Sequence, residues 1–283
     1  MKSTTNYWDN IERVKDFLNT ADAVLVGIGA GMSTAAGFTY SGERFHKYFD
    51  DFYKKYGITD MYSGGFYSFE SMEEYWAWWS RHIYYNRYDT PAGVPYVQLM
   101  NLLQDKNYFV ITTNVDHQMQ LAGVDKNRLY YMQGDYGLWQ CSEPCHQKTY
   151  DNEEQVRRMV NEQKDMKVPT ALIPHCPRCG ELMTMNLRID GTFVQDEGWY
   201  AAQNRYADFI ERYKDKKLIM LEIGVGYNTP MIIKYPFMRM AHDNIDALYV
   251  PINIENQPIP FEIHKNTVSF NNDIQKVMND LLS

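Results

Sequence analysis

Ala23-Val24-Leu25-Val26-Gly27-Ile28-Gly29-Ala30-Gly31 runs apolar and then closes in glycines. A strand covered on both faces reads as such a near-continuous apolar run. Glycines directly after a strand and before a helix let a diphosphate come up against the backbone, where the helix start favours negative charge. For the glycines alone, a tight turn without a ligand is the plain alternative. Strand, glycines and helix in this order favour a nucleotide.

Further apolar runs follow at Tyr108–Thr112, Leu129–Met132, Leu218–Ile223 and Leu248–Asn253, and Thr267–Phe270 adds a last short one. Helical spacing separates them: Ile11, Val14, Phe17 and Leu18 within Asp9–Asn19, then Trp199–Tyr213 and Asp273–Leu282. Alternating strands and helices predict an α/β fold, a doubly wound parallel sheet of Rossmann-like type. Two segments interrupt the alternation. Residues 44–89 are dense in aromatics, among them Tyr75, Trp76, Trp78, Trp79, Tyr84 and Tyr85, and read as inserted helices whose rings pack a core. Residues 139–189 hold all four cysteines, with a polar helix pattern over Glu153–Lys164 between the two pairs. The expected plan is a nucleotide domain of residues 1–43, 90–138 and 190–283, with a smaller inserted helical and zinc-binding domain formed by 44–89 and 139–189.

The net charge of -8 argues against nucleic-acid binding as the main role. Met1–Asn6 leads into a charged helix pattern instead of an apolar signal core. No apolar run reaches the length of a membrane span. The expectation is a soluble cytoplasmic protein. Cys141/Cys145 and Cys176/Cys179 are then better read as metal ligands than as disulfides. Four thiolates suit a closed tetrahedral zinc site of structural type, against the plainer reading of four unligated thiols. His146 and His175 flank the cysteines as substitute ligands. His82, His117, His242 and His264 lack metal spacing, and His117 is either near a pocket or on a helix surface.

The match to a dinucleotide-binding dehydrogenase is poor. Met32 stands at the third-glycine place counted from Gly27, and no second strand ending in an acid follows about twenty residues on. Thr113-Asn114-Val115-Asp116 ends a strand, where ligands gather in open α/β sheets. A buried Asn114 can orient a sugar hydroxyl or a water, while Asp116 serves the pocket, caps the helix through Met119–Leu121, or does both.

Gly29-Ala30-Gly31-Met32-Ser33-Thr34-Ala35-Ala36-Gly37, Thr113-Asn114-Val115-Asp116, Gln133-Gly134, Gly224-Val225-Gly226 and Asn253-Ile254-Glu255 follow one another in an order that resembles the sirtuins, NAD-consuming deacylases. The resemblance spans roughly Ala23 to Glu255. It implies NAD as co-substrate, bound by Gly29, Ala30, Gly31, Ser33, Gly37, Asn114, Asp116, Gln133, Gly224, Val225, Gly226, Asn253, Ile254 and Glu255, and a structural zinc on the four cysteines. After Gly37 the family continues Ile-Pro-Asp-Phe-Arg, whereas this chain runs Phe38-Thr39-Tyr40-Ser41-Gly42-Glu43-Arg44-Phe45. Arg44 and Phe45 either cover the nicotinamide side of the pocket or start the next helix.

In the family the position of Gln133 is a histidine acting as general base. An amide has no useful basicity near neutral pH. This replacement resembles the macrodomain-linked class M sirtuins. It implies protein mono-ADP-ribosylation with Asn114 and Gln133 as the catalytic pair, a lipoylated glycine-cleavage H-like carrier as protein acceptor, and a partner macrodomain hydrolase that reverses the mark. The competing readings are an NAD-dependent protein deacylase, an NAD glycohydrolase and a non-catalytic NAD sensor.

Overall fold

The computed structural model describes residues 4–283. Met1, Lys2 and Ser3, part of the N-terminal reading above, lie outside the described residues. Helix α1 (Thr4–Thr20) leads into strand β1 (Ala23–Ile28), and the turn after it opens the short helix α2 (Ala30–Ala35). Helices α3 (Glu43–Tyr56), α4 (Met61–Gly64) and α5 (Met72–Ile83) form the aromatic insertion, which ends in a π-helical turn at Tyr84–Tyr88. Helix α6 (Val94–Leu102), strand β2 (Tyr108–Thr112), helix α7 (Gln118–Leu121) and strand β3 (Leu129–Tyr131) return to the sheet. The second insertion holds strands β4 (Gly134–Cys141) and β5 (Tyr150–Asp151), helix α8 (Glu153–Glu162) and strand β6 (Met183–Leu187). Helix α9 (Glu197–Tyr213), strand β7 (Leu218–Ile223), helix α10 (Lys234–Asp243), strand β8 (Leu248–Asn253), strand β9 (Phe270–Asn271) and helix α11 (Ile274–Leu282) complete the chain.

The main sheet has the order β3-β2-β1-β7-β8-β9, with every pairing parallel. β1, β2 and β7 are buried at every position, as their unbroken apolar runs require. Their alternate residues feed two cores. Val24, Val26, Leu221 and Ile223 pack one face with α1, α6 and α11, and Leu25, Phe109 and Met220 pack the other with α9 and α10. The final strand is shorter and later than Thr267–Phe270: Thr267 makes only an isolated bridge with Tyr249, and pairing proper starts at Phe270.

A third core joins the two insertions. Phe45, Phe49, Phe52, Trp76 and Trp78 pack with Trp139, Met159 and Met183. Five of these six rings come from residues 44–89, which explains the aromatic density there. The antiparallel sheet β5-β4-β6 carries the cysteines on its hairpins. Ser71 and Asp196 accept hydrogen bonds from Glu74 N and Trp199 N and so start α5 and α9, as Ser and Asp at helix starts should.

Candidate active site

Because the strands are parallel, the loops after β1, β2, β7 and β8 leave the same edge of the sheet. The chain leaves β1 towards β2 and leaves β7 towards β8, so the order diverges between β1 and β7. Ligands of open α/β sheets bind at such a crevice. There the glycines have a packing task of their own. Gly31 N donates to Gly224 O at 2.9 Å and Gly29 N to Ile223 O at 3.0 Å. A Cβ on Gly31 would stand 2.8 Å from Gly224 Cα, and one on Gly29 would stand 2.6 Å from Gly224 O. Gly224 itself sits at φ +64°, where glycine is at little cost. Two strand-end loops thus meet backbone to backbone. Asn253 Nδ2 ties the end of β8 to the same place through Val225 O, at 3.2 Å. Ala30, Gly37, Gly226, Ile254 and Glu255 lie around it on the exposed side.

The end of β2 supplies the polar heart of the site. Asn114 Nδ2 donates to Gly29 O at 3.0 Å and lies 3.1 Å from both Ser33 Oγ and Tyr96 OH. Its Oδ1 has no protein donor among the described residues. Ser33 Oγ donates to Asp116 Oδ2 at 2.5 Å and sits 2.8 Å from Tyr96 OH. Asp116 also accepts from Gln118 N at 3.2 Å, although the N-cap position of α7 is His117, which makes no side-chain cap bond. Burial pushes its carboxyl above the usual range, and the Ser33 hydroxyl and Gln118 amide offset this only in part.

Gln133 lies in the two-residue turn between β3 and β4. Its carbonyl accepts from Arg188 N at 3.0 Å, and the preceding carbonyl, of Met132, accepts from Trp199 Nε1 at 3.1 Å. Gly134 comes next at φ +95°, so close to Asn186 O that a Cβ would stand 1.8 Å away. The backbone of Gln133 is therefore fixed on both sides. Its half-buried carboxamide makes no hydrogen bond to a protein group among the described residues.

Two residues on, Asp135 is buried and accepts from Arg87 Nε at 2.8 Å, His117 Nδ1 at 2.6 Å and Gly137 N at 2.7 Å. Burial alone would raise this carboxyl, but the His117 bond and the Arg87 charge win and hold it below the usual range. His117 is thus neither a metal ligand nor a plain surface residue. A second chain, Tyr40 OH–Tyr136 OH at 2.7 Å and Tyr136 OH–His82 Nε2 at 2.9 Å, joins the loop after α2 to the insertion. Burial, with the Arg44 charge, drops His82 to about 3, so that imidazole stays neutral.

Arg44 and Phe45 stand apart from this constellation. Arg44 spends its guanidinium on Thr39 O, Asn86 Oδ1 and Tyr85 O, and Phe45 is wholly buried against Phe49 and Trp78 in the insertion core. Both act as the start of α3. The sequence reading also passed over a buried pair below the Gly224 loop. Lys234 Nζ bonds Glu222, whose other oxygen accepts from Tyr249 OH at 2.7 Å. A lone acid inside the apolar Leu218–Ile223 run was the available signal.

The four cysteine sulfurs lie within 4.8 Å of one another. Cys141–Cys179 and Cys145–Cys176 are 3.6 and 3.7 Å apart, too far for disulfides. A tetrahedron with Zn–S bonds of about 2.3 Å has edges of about 3.8 Å, so the sulfurs fit zinc. His146 bonds Tyr150 OH and His175 bonds Gly180 O, and neither is needed as a ligand. Surface depressions of about 480 and 580 Å³ lie at the opposite edge of the sheet, beside Asp22 and Lys217 in one case and Asp105 and Tyr108 in the other. The strand-end residues described above do not line them.

An open parallel sheet with a polar crevice at its switch point and a four-cysteine insertion defines a nucleotide-binding α/β protein of a particular kind. The family model described as "Sir2 family" matches residues 29–210. The chain belongs to the Sir2 family. It is 40% identical over 272 residues to the "Protein ADP-ribosyltransferase" of Staphylococcus aureus, covering 96% of this chain and 86% of that one. It is 30% identical over 243 residues to a "Probable bifunctional ADP-ribose hydrolase/ADP-ribosyltransferase" of Fusarium oxysporum f. sp. cubense, covering 80% of this chain and 39% of that one. Its fold matches the solved structure of Sir2Tm bound to a propionylated peptide with a TM-score of 0.61 at 18% identity, over 96% of this chain and 97% of the other.

Proposed function

We propose that this chain is an NAD-dependent protein mono-ADP-ribosyltransferase that releases nicotinamide. The observation that carries the proposal is Gln133, whose backbone is fixed after β3 and whose carboxamide is unengaged, where the family's deacylases place a basic histidine. The names of the two relatives point the same way. The loops at Gly29–Gly31, Gly224–Gly226 and Asn253–Glu255 would take the dinucleotide. Ser33, Asn114, Asp116 and Gln133 would take the nicotinamide ribose, with the free Oδ1 of Asn114 and the Gln133 amide on its hydroxyls.

A crevice that excludes water and presents fixed dipoles favours an oxocarbenium-like anomeric carbon. An acceptor atom attacks that carbon, and the pyridinium nitrogen keeps the electron pair of the broken bond. The later deacylation step needs a base on a ribose hydroxyl, which Gln133 cannot supply. Cys141, Cys145, Cys176 and Cys179 would hold a zinc ion that stabilises the insertion without entering the reaction. The division into a domain of residues 1–43, 90–138 and 190–283 and one of 44–89 and 139–189 belongs to the same proposal, supported by the separate aromatic core. So does a cytoplasmic location, which suits a thiolate metal site. A lipoylated glycine-cleavage H-like carrier is the proposed acceptor. A hydrolase partner removing the mark is supported by the Fusarium relative's name, which joins both activities.

Labelled NAD and a lipoylated carrier test the proposal. Labelling of the carrier by the wild type is expected, with a drop of about 10²-fold or more in Asn114→Ala and Gln133→Ala. Full labelling by both variants removes the assignment. O-acyl-ADP-ribose from an acyl-lysine peptide would make it a deacylase, nicotinamide release into water alone a glycohydrolase, and tight NAD binding without release a sensor.

A further inference from the structure

His117 is hydrogen-bonded to Asp135, which lies two residues after Gln133. We infer that His117, oriented by Asp135, takes the proton from the acceptor nucleophile during ADP-ribose transfer. The inference rests on the transferase reading above.

Three observations carry it. First, Asp135 Oδ2 receives His117 Nδ1 at 2.6 Å, while Arg87 Nε and Gly137 N occupy Oδ1. A carboxylate engaged in this way fixes the Nδ1–H tautomer and leaves Nε2 as the acceptor, as in other carboxylate-imidazole pairs. Second, Nε2 has no hydrogen bond among the described residues, and the side chain is 27% exposed, so it is reachable from solvent. Third, His117 sits at φ +65°, ψ 12°, in the left-handed region. Non-glycine residues are uncommon there, and a side chain held there against that preference suggests use.

The dyad adjoins the site along the chain at two points. His117 directly follows Asp116, and Asp135 lies two residues after Gln133. The charged groups around the imidazole are Asp135 from β4, Arg87 from the π-helical turn through Asp135, and Asp116 beside it. In the step proposed, the nucleophile's lone pair forms the bond to the anomeric carbon and its proton passes to His117 Nε2. The bond to nicotinamide breaks with its electron pair going to the ring nitrogen. The imidazolium then returns the proton to water.

His117→Gly is the informative variant, because glycine suits φ +65° and leaves a space that added imidazole can refill. Carrier labelling is read for a lipoylated carrier, and free ADP-ribose for water. The comparison is made on whichever acceptor the wild type uses. The expected result is a loss of about 10²- to 10³-fold, with NAD affinity by calorimetry within about twofold and activity partly restored by added imidazole. Asp135→Asn should lose activity that imidazole does not restore. Transfer by His117→Gly at the wild-type rate, or a loss that imidazole leaves untouched while NAD affinity falls equally, overturns the inference and leaves the transferase reading intact. A wild type that releases no nicotinamide to any acceptor overturns both.

Discussion

Asp116 and Asp135 are buried carboxyls at the ends of two adjacent segments of one site, and their surroundings push them opposite ways. Asp116 meets a serine hydroxyl and a backbone amide but no cation, so burial prevails and its carboxyl is raised. Asp135 meets the same loss of water but gains Arg87, His117 and an amide, and its carboxyl is lowered. Carboxyls driven apart in this way mark different tasks. The β2 end is a neutral hydrogen-bonding network, and the start of β4 is a charge anchor that sets an imidazole. Glu222 lies between the two cases. It pairs with Lys234 and Tyr249, yet burial still raises it. One cation in a dry place does not outweigh desolvation, whereas two donors and an amide on Asp135 do.

Three substitutions probe that ordering. Lys234→Met should have the largest effect on stability, a loss of about 3–5 kcal/mol, because it leaves Glu222 buried without its partner. The double variant Lys234→Met/Glu222→Leu should recover most of it. Urea denaturation of the single and double variants measures this, and equal losses in both would show that the pair contributes packing alone. Asp135→Asn should come next, at about 2–3 kcal/mol near pH 7, since it removes charge-assisted bonds from Arg87 and His117. The folded carboxyl is lowered, so its stabilisation is present above the ordinary value of 3.8 and is lost as pH falls through the folded value. The gap in Tm between wild type and Asp135→Asn should therefore close on acidification. A gap that stays constant down to pH 3 would mean that Asp135 does not anchor charge.

These two carboxyls also show what a linear reading can and cannot see. Asp116 was legible because Asn114 and Asp116 form one contiguous motif at the end of an apolar run. The sheet strands were legible for the same reason: burial on both faces leaves an unbroken apolar string, as in Leu218–Ile223. Asp135, His117 and Arg87 come from three separated segments, none with a repeat or spacing of its own, so only the fold joins them. β4 escaped notice because it is buried at nearly every position while holding Gly134, Asp135, Gly137 and Gln140, which breaks both the apolar run and any alternation. Arg44 and Phe45 follow the point, after Gly37, where this chain departs from the motif it resembles, and likeness alone left their role open. The aromatic core of the insertion claims Phe45, and backbone carbonyls claim Arg44.

Asp116→Asn is the smallest expected change and the sharpest test of the contrast. The folded carboxyl is raised above its ordinary 3.8, so ionised Asp116 weighs against the fold at neutral pH. The stability linked to its protonation is fully present below 3.8 and is lost as pH rises through the folded value. Asparagine is neutral throughout; its Oδ1 can still accept from Gln118 N, and its Nδ2 can donate to Ser33 Oγ where the second carboxylate oxygen accepted from it. Its stability near pH 7 should therefore lie within about 1 kcal/mol of wild type, on the favourable side if on either. On acidification the wild type gains relative to the variant, opposite in sign to the trend for Asp135→Asn. Paired melting curves from pH 7 down to pH 3 read both signs. If Asp116→Asn instead loses as much as Asp135→Asn at pH 7 and recovers in acid, Asp116 is held ionised. The β2 end would then be a second charge anchor, and the division of labour between the two carboxyls would fail.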